Sequence, residues 1–291
     1  MPSFKASNFA LKFTLESGQF FLYEKYNDDG HDNQHHNPHG NQQYNQHDDW
    51  YYITTSNRIF KVKQKENTIY YDNIDEQELK QFLGLSVPYK EIIAHLEKDK
   101  ILKQYIAKYS GLRIMHLDPW MAAVSFICSS ASNIPKIKRN LRLMSEKFGK
   151  TIMYEQKKYF LFPEFGKLGN ENELKNCSVG FRARYLNEIN QVPESFFQSL
   201  YQLPYDKAKE LLCQKKGIGS KIADCILLFA YNKWDAFPVD VWIGRALIYH
   251  YAKGKKMSMK QLESFAKSRF PNYPGYAQQY LYHGFRMKQQ E

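Results

Sequence analysis

Apolar positions alternate through the first quarter of the chain and recur at helical spacing through the rest. Phe9, Leu11, Phe13 and Leu15 stand at every second position, followed by Phe20-Phe21-Leu22-Tyr23, Tyr51-Tyr52-Ile53, Ile59-Phe60-Lys61-Val62 and Ile69-Tyr70-Tyr71. A period of two is that of a strand with one buried face, so residues 8–80 predict an antiparallel β region, with Gly18 at the turn between its first two strands. Residues 27–49 interrupt it without any apolar periodicity and hold five of the nine histidines. Clustered imidazoles and carboxylates admit a metal site there, but no ligand spacing repeats, and a disordered hairpin insertion is the expectation.

From Asp75 the pattern turns helical and stays so to the end. Residues 91–109 predict one helix or two short ones. Asp118-Pro119 is a strong start signal, with Asp at the cap and Pro at the first helical position, and the helix it opens is apolar on most faces. That helix is expected at the centre of the core. Residues 134–148 set Lys136, Lys138, Arg139 and Arg142 beside Ile137, Leu141, Met144 and Phe148, giving one basic and one apolar face. Further helices are expected at 193–203, 205–213, 241–251, 258–270 and 274–287. The fold class is therefore α+β: an N-terminal antiparallel β-sheet domain over 1–85, then an all-helical core over 86–291.

Composition narrows the class. The 291 residues are 43% hydrophobic, enough for a real core. No apolar run is long enough to span a membrane, and the N-terminus lacks both a signal core and an Arg-rich presequence, so a soluble, unexported chain is expected. The four cysteines, Cys128, Cys177, Cys213 and Cys225, show no C-x-x-C spacing, which argues against a disulfide framework, a zinc knuckle or an iron–sulfur loop. The formal charge is +11, unevenly placed: residues 1–100 hold 11 Lys and Arg against 15 Asp and Glu, so the remainder hold 30 against 15. A polyanion suits that field, although lysine-rich solvated helix faces produce the same count.

The chemistry concentrates between residues 211 and 241. Gly217 and Gly219 bracket Ile218 between two helical patterns, a tight turn that leaves N–H groups uncovered at the start of the second helix, where a phosphate can sit. Such a hairpin holds a nucleic-acid backbone without reading its sequence. Lys221 falls in the first turn of that second helix among apolar neighbours. It is either one more phosphate contact or a nucleophile, because desolvation and a positively polarised helix end both disfavour the ammonium form, and a neutral lysine attacks carbon to give a Schiff base. Asp240, in Pro-Val-Asp-Val, is a good N-cap for the next helix; a carboxylate held there can also stabilise a sugar cation or move a proton. Gly180-Phe181-Arg182-Ala183-Arg184-Tyr185 alternates arginines with aromatics, a composition for gripping phosphates and wedging bases that also fits a helix start with a packed Phe.

The block Gly-Ile-Gly-Ser-Lys221-Ile-Ala-Asp-Cys225 with Pro-Val-Asp240-Val resembles the helix-hairpin-helix DNA glycosylase superfamily, in its 8-oxoguanine DNA glycosylase/lyase branch. The likeness continues, in order, through Ser17-Gly18-Gln19-Phe20, Leu117-Asp118-Pro119, Phe126-Ile127-Cys128-Ser129-Ser130, residues 180–185 and Gly275-Tyr276-Ala277-Gln278. The resemblance implies a base-flipping enzyme acting on double-stranded DNA that contains 8-oxoguanine. It implies Lys221 as the nucleophile at C1′ and Asp240 as its partner at the sugar. Gly18 would offer a carbonyl to N7–H, Gln278 would bond the base edge, and Cys225 and Tyr282 would pack on its faces. Phe181 with Arg182 would occupy the wedge and opposite-base region, Asn133, Lys136 and Arg184 would be further DNA contacts, and Gly217, Ile218 and Gly219 would hold the backbone.

The chain departs from the family pattern at Ala131-Ser132-Asn133, where a run of asparagines is usual, and at Lys136, Phe181, Tyr282 and Trp242. Lys215-Lys216 replaces Leu-Pro in the hairpin, adding cations and a second candidate for the reactive amine. No cofactor or resident metal is expected, although a cation bridging the hairpin to a phosphate is compatible with the motif. The expected partner is DNA, not a membrane, and the expected state a monomer, cytoplasmic in a prokaryote or nuclear in a eukaryote. Adenine-mispair and oxidised-pyrimidine relatives carry a C-terminal four-cysteine cluster, and no cysteine follows Cys225. Alkylated-base relatives usually lack the hairpin lysine. A non-catalytic DNA-binding module on the same hairpin is the rival from another class.

Overall fold

The computed structural model describes residues 1–26 and 49–289; the His-rich tract assigned above to a disordered insertion or a metal site lies almost wholly outside the described residues. Five strands form one antiparallel sheet in the order β1-β5-β4-β3-β2, from β1 (Ser3–Lys5), β2 (Tyr23–Tyr26), β3 (Trp50–Thr54), β4 (Ile59–Lys65) and β5 (Thr68–Asp72). Register decides which side chains reach the core. Ile53 pairs with Phe60 and Tyr51 with Val62, and these four are buried on one face. Tyr52 pairs with Lys61 on the opposite face, as strand alternation requires.

The first predicted strand is a helix. Leu11–Leu15 forms α1, with Leu11, Thr14 and Leu15 buried at i, i+3, i+4 spacing. Alternation of Phe9, Leu11, Phe13 and Leu15 suggested a strand because Thr14 counted as polar; its hydroxyl instead accepts from the Arg113 amide inside the protein. Residues 20–22 run into β2 as irregular chain.

The chain is also not helical throughout after Asp75. After α2 (Glu76–Phe82), α3 (Tyr89–Leu96), α4 (Lys100–Lys108), α5 (Pro119–Cys128) and α6 (Ile134–Phe148) comes a hairpin of β6 (Thr151–Tyr154) and β7 (Lys157–Phe160). Its two turn residues, Glu155 and Gln156, both take positive φ, the geometry of a tight hairpin turn, yet neither is a usual turn residue. Tertiary contacts explain it. Tyr159 stacks on Tyr52 at 6.3 Å, and Glu155 accepts from Tyr52 and pairs with Lys61, so the hairpin covers the sheet face that the register left polar. On the other face Phe82 of α2 packs edge-on to Phe60.

The remaining helices are α7 (Glu171–Lys175), α8 (Arg182–Ile189), α9 (Glu194–Ser199), α10 (Tyr205–Cys213), α11 (Ser220–Tyr231), α12 (Val241–His250), α13 (Met259–Arg269) and α14 (Pro274–Lys288). Asp118 caps α5 as expected, accepting from Met121 N at 2.8 Å, and α5 is buried from Trp120 to Cys128. It packs on α11, buried from Ile222 to Tyr231, with Phe126 and Phe229 stacked at 5.3 Å. Buried side chains from Phe4 to Leu281 form a single cluster across sheet and helices.

Gln19 ties the N-terminal turn to that cluster. Fully buried, it donates to the carbonyls of Thr14 and Arg113 and accepts from Met115 N at 2.8 Å. Gln19→Leu strands these buried groups and is expected to cost about 3 kcal/mol of stability in urea unfolding; a loss under about 1 kcal/mol would mean that the turn is held by other contacts.

Candidate active site

A cavity of about 410 Å³ opens where the turn at Gly18, the C-terminal end of α5, the start of α11, the segment before α12 and the buried face of α14 converge. Its size is within the usual range for a small-molecule site. Gly18, Cys225, Gln278, Tyr282, Lys221 and Asp240 all line it, although they come from opposite ends of the chain.

Each wall residue is held by its element. Lys221 is the second residue of α11, and its Nζ donates to Ser129 Oγ at 2.8 Å, while Ser129 itself donates to Phe126 O. The amine is thus fixed at the C-terminal end of α5. Asp240 caps α12 by accepting from Ile243 N at 2.8 Å. Burial raises its carboxyl above the ordinary range; the Ile243 and Trp242 amides and the Lys221 charge pull the other way. Asp240 is therefore the cap that local sequence predicts, and its carboxylate lies within the influence of the Lys221 charge.

Cys225 is buried and its thiol is pushed up to about 12, so at neutral pH it is an uncharged wall and not a competing nucleophile. Tyr282 is likewise held in its phenol form by burial. Gln278 is 5% exposed; its Nε2 donates to Pro238 O at 3.3 Å, but its Oε1 has no partner among the described residues. A buried acceptor at a cavity wall is a place for a ligand N–H. Gly18 has φ +79°, and a Cβ there would lie 3.1 Å from the Tyr282 ring and hydroxyl. Both the backbone twist and the close approach call for glycine.

A second, more open cavity of about 840 Å³ borders the hairpin and shares Ser129, Ser132, Lys221, Asp240 and Trp242 with the first. Lys221 sits at the junction. Lys215 and Lys216 line only the hairpin side, with Lys215 Nζ 4.5 Å from the centre of the Phe196 ring and Lys216 Nζ 3.2 Å from Glu188. Gly217 has φ +85°, and a Cβ would fall 2.3 Å from Tyr185, so the hairpin is moulded against α8. Gly219 caps α11 without a side-chain bond, and among the described residues no side chain covers the first-turn amides. Phe181 is 58% exposed beside this opening.

Known proteins of similar sequence and fold identify the family. A family profile described as 8-oxoguanine DNA glycosylase, N-terminal domain, matches residues 3–122. A probable N-glycosylase/DNA lyase of Methanothermobacter thermautotrophicus is 27% identical over 234 residues, covering 72% of this chain and 74% of the relative. The 8-oxoguanine glycosylase/lyase of Clostridium acetobutylicum in complex with double-stranded DNA containing cytosine opposite 8-oxoG superposes with a TM-score of 0.85 at 27% identity over 99% of both chains. The apo form of the Clostridium acetobutylicum enzyme is 30% identical with a TM-score of 0.82, covering 95% of this chain and 93% of that one. The chain belongs to the 8-oxoguanine DNA glycosylase/lyase family.

Within this family member several expected nucleic-acid contacts have other placements. Arg182 is 2% exposed, not on the surface; its guanidinium donates to the carbonyls of Val179, Ser130 and Ala131 and so clamps the α5–α6 connection, where Ala131 itself has positive φ. Ile218 is 3% exposed and its amide donates to Lys215 O, so neither its side chain nor its N–H faces outward. Asn133 lines the mouth of the first cavity but caps α6, accepting from Lys136 N at 2.9 Å. Lys136 is exposed on the first turn of α6, and Arg184 is exposed on α8, 4.0 Å from Glu188.

Ser129 and Arg286 are wall residues to which sequence reasoning assigned no role. Ser129 was visible only as part of the Cys-Ser-Ser motif. Arg286 donates to Glu16 O at 2.9 Å and lies beside Tyr282, a contact between opposite chain ends that no local pattern encodes.

Asp240→Asn offers a test with a defined sign. Asparagine caps as well as aspartate. Because the folded carboxyl titrates above its unfolded value, the wild-type contribution of Asp240 is fully present below the unfolded pKa and declines as pH rises through the folded one. The stability of D240N relative to wild type should therefore increase with pH across the carboxylate range and level off at neutrality, as read by thermal unfolding. A difference that shrinks with rising pH would show that the lysine and amides outweigh burial.

Proposed function

We infer that this protein excises 8-oxoguanine from duplex DNA and then nicks the strand at the abasic site. The observation that carries this reading is the position of Lys221, an amine anchored to Ser129 at the junction between a base-sized cavity and the hairpin side of the molecule, with the Asp240 carboxylate in the same cavity wall.

An extruded base enters between Cys225 and Tyr282, with N7–H to the Gly18 carbonyl and its Watson–Crick edge to the unpaired Gln278 acceptor. The neutral Lys221 amine attacks C1′ as the C1′–N9 bond breaks and its electron pair leaves with the base. The deoxyribose opens to an iminium ion. Loss of a C2′ proton then expels the 3′ phosphate by β-elimination, and water hydrolyses the remaining Schiff base. Asp240 stabilises the positive charge on the sugar during the first step. The hairpin amides and nearby cations hold phosphates of the damaged strand, Phe181 fills the gap left by the base, and no cofactor takes part.

Borohydride should trap wild type covalently on a duplex with one 8-oxoguanine opposite cytosine. Lys221→Gln should lose both adduct and base release by at least about a thousandfold while still binding the DNA. A wild type that binds but neither traps nor releases base would favour the non-catalytic module, and a K221Q protein that still traps would move the nucleophile to Lys215 or Lys216.

Discrimination by the opposite base should be weak, because Ala131 and Ser132 replace amides and Arg182 is engaged with backbone carbonyls. Single-turnover rates with the four partner bases are expected to lie within about tenfold, about 1.4 kcal/mol. A cytosine preference above that would require Arg182 to leave its clamp on DNA binding.

A further inference from the structure

A third concavity, of about 870 Å³, runs along the outer face of α6 between that helix, β2 and the β6–β7 hairpin. It is separate from both cavities described above but shares Phe21, Ile134 and Pro135 with the wall of the base pocket, so the two are continuous around the start of α6. Among the described residues, five cations line it: Lys138, Arg139 and Arg142 from α6, and Lys157 and Lys158 from β7. Two acids in its wall are already engaged. Glu146 pairs with Arg142 at 2.5 Å, and Glu24 accepts from Tyr26 at 2.6 Å.

Aromatic faces fix several of these charges in place. Lys138 Nζ lies 3.5 Å from the Tyr23 ring centroid, Lys157 Nζ 4.4 Å from that of Tyr26, and Lys158 Nζ 5.0 Å from that of Phe160. Lys138 is half-buried there, while Arg139, Lys157 and Lys158 are exposed. Residues four apart on a helix are about 6 Å apart along its axis, so Lys138 and Arg142, the latter shared with Glu146, stand at a spacing comparable to that of neighbouring phosphates on one strand. An acidic peptide would offer carboxylates without this regular repeat.

We propose that this groove binds the phosphate backbone of the duplex arm leading away from the flipped base, extending the DNA footprint beyond the hairpin onto the N-terminal sheet. The assignment rests on the DNA-directed function proposed above. It also gives the β6–β7 hairpin a use: by covering the polar sheet face, it brings Lys157 and Lys158 up to α6.

The test combines Arg139→Gln, Lys157→Gln and Lys158→Gln, three exposed side chains outside the base pocket. Binding is titrated against salt with two 8-oxoguanine duplexes, one just long enough to cover the pocket and hairpin and one extended by a helical turn on each side. On the extended duplex the variant should bind about tenfold more weakly, and the slope of log K against log salt should fall by about two to three, near 0.9 for each phosphate that the variant leaves unneutralised. On the short duplex both should match wild type, and base release from the saturated enzyme should be unchanged on either. An unaltered slope, an equal loss on both duplexes, or competition by an acidic polypeptide as strong as that of undamaged DNA would overturn the groove assignment. Failure of the catalytic reading shows differently: wild type would release no base from either duplex, whatever the salt slopes.

Discussion

The packing of α5 on α11 is the contact on which the site depends. Both helices are buried along almost their whole length, and the stacked Phe126 and Phe229 rings fix their relative placement. One consequence is chemical. The C-terminal end of α5 delivers Ser129 to the first turn of α11, so Lys221 finds a hydrogen-bond partner at 2.8 Å without moving from its helix. Long lysine side chains lose much conformational freedom when held in one place. Here the core supplies that order before any ligand arrives, the preorganisation that the nucleophile proposed above would need.

Arg182 extends the same logic one residue further. A buried guanidinium requires acceptors, and the three backbone carbonyls around it satisfy that need while holding residues 129–131 in a conformation that includes a positive φ at Ala131. The α5–α6 connection is therefore fixed from two sides, by Arg182 behind it and by Lys221 in front. A residue that reads as a surface arginine in sequence becomes a structural support because its neighbours Val179 and Ala183 are buried and turn its face of α8 inward.

Much of this arrangement was legible in the chain. The helix starts at Asp118 and Asp240, the basic face of α6 and the glycine hairpin follow from local chemistry, because caps and turns are decided within a few residues. What escaped was decided at a distance. Leu11–Leu15 is helical because Thr14 turns inward to bond the Arg113 amide, and the β6–β7 hairpin exists because Tyr52 and Lys61 need a cover, which no feature of Glu155-Gln156 announces. Site residues divided along the same line. Lys221 and Asp240 stand out within one stretch of 31 residues, whereas Gly18, Gln278 and Tyr282, proposed above to face the base, come from family resemblance. Arg182 and Ile218 are buried, which residue type alone does not announce.

The pairing of Lys221 with Asp240 has a further electrostatic consequence. Burial raises the cost of the Asp240 carboxylate, and the neighbouring positive charge offsets part of it. In the folded protein that charge comes from Lys221. In the reaction proposed above, positive charge develops on the sugar as the base departs and then resides on the iminium ion. The Asp240 carboxylate, held by its cap hydrogen bond to Ile243, is already fixed in the wall of the cavity where that charge would develop. A buried negative charge is costly without a positive partner, and the anchored amine supplies that partner beside the raised carboxyl.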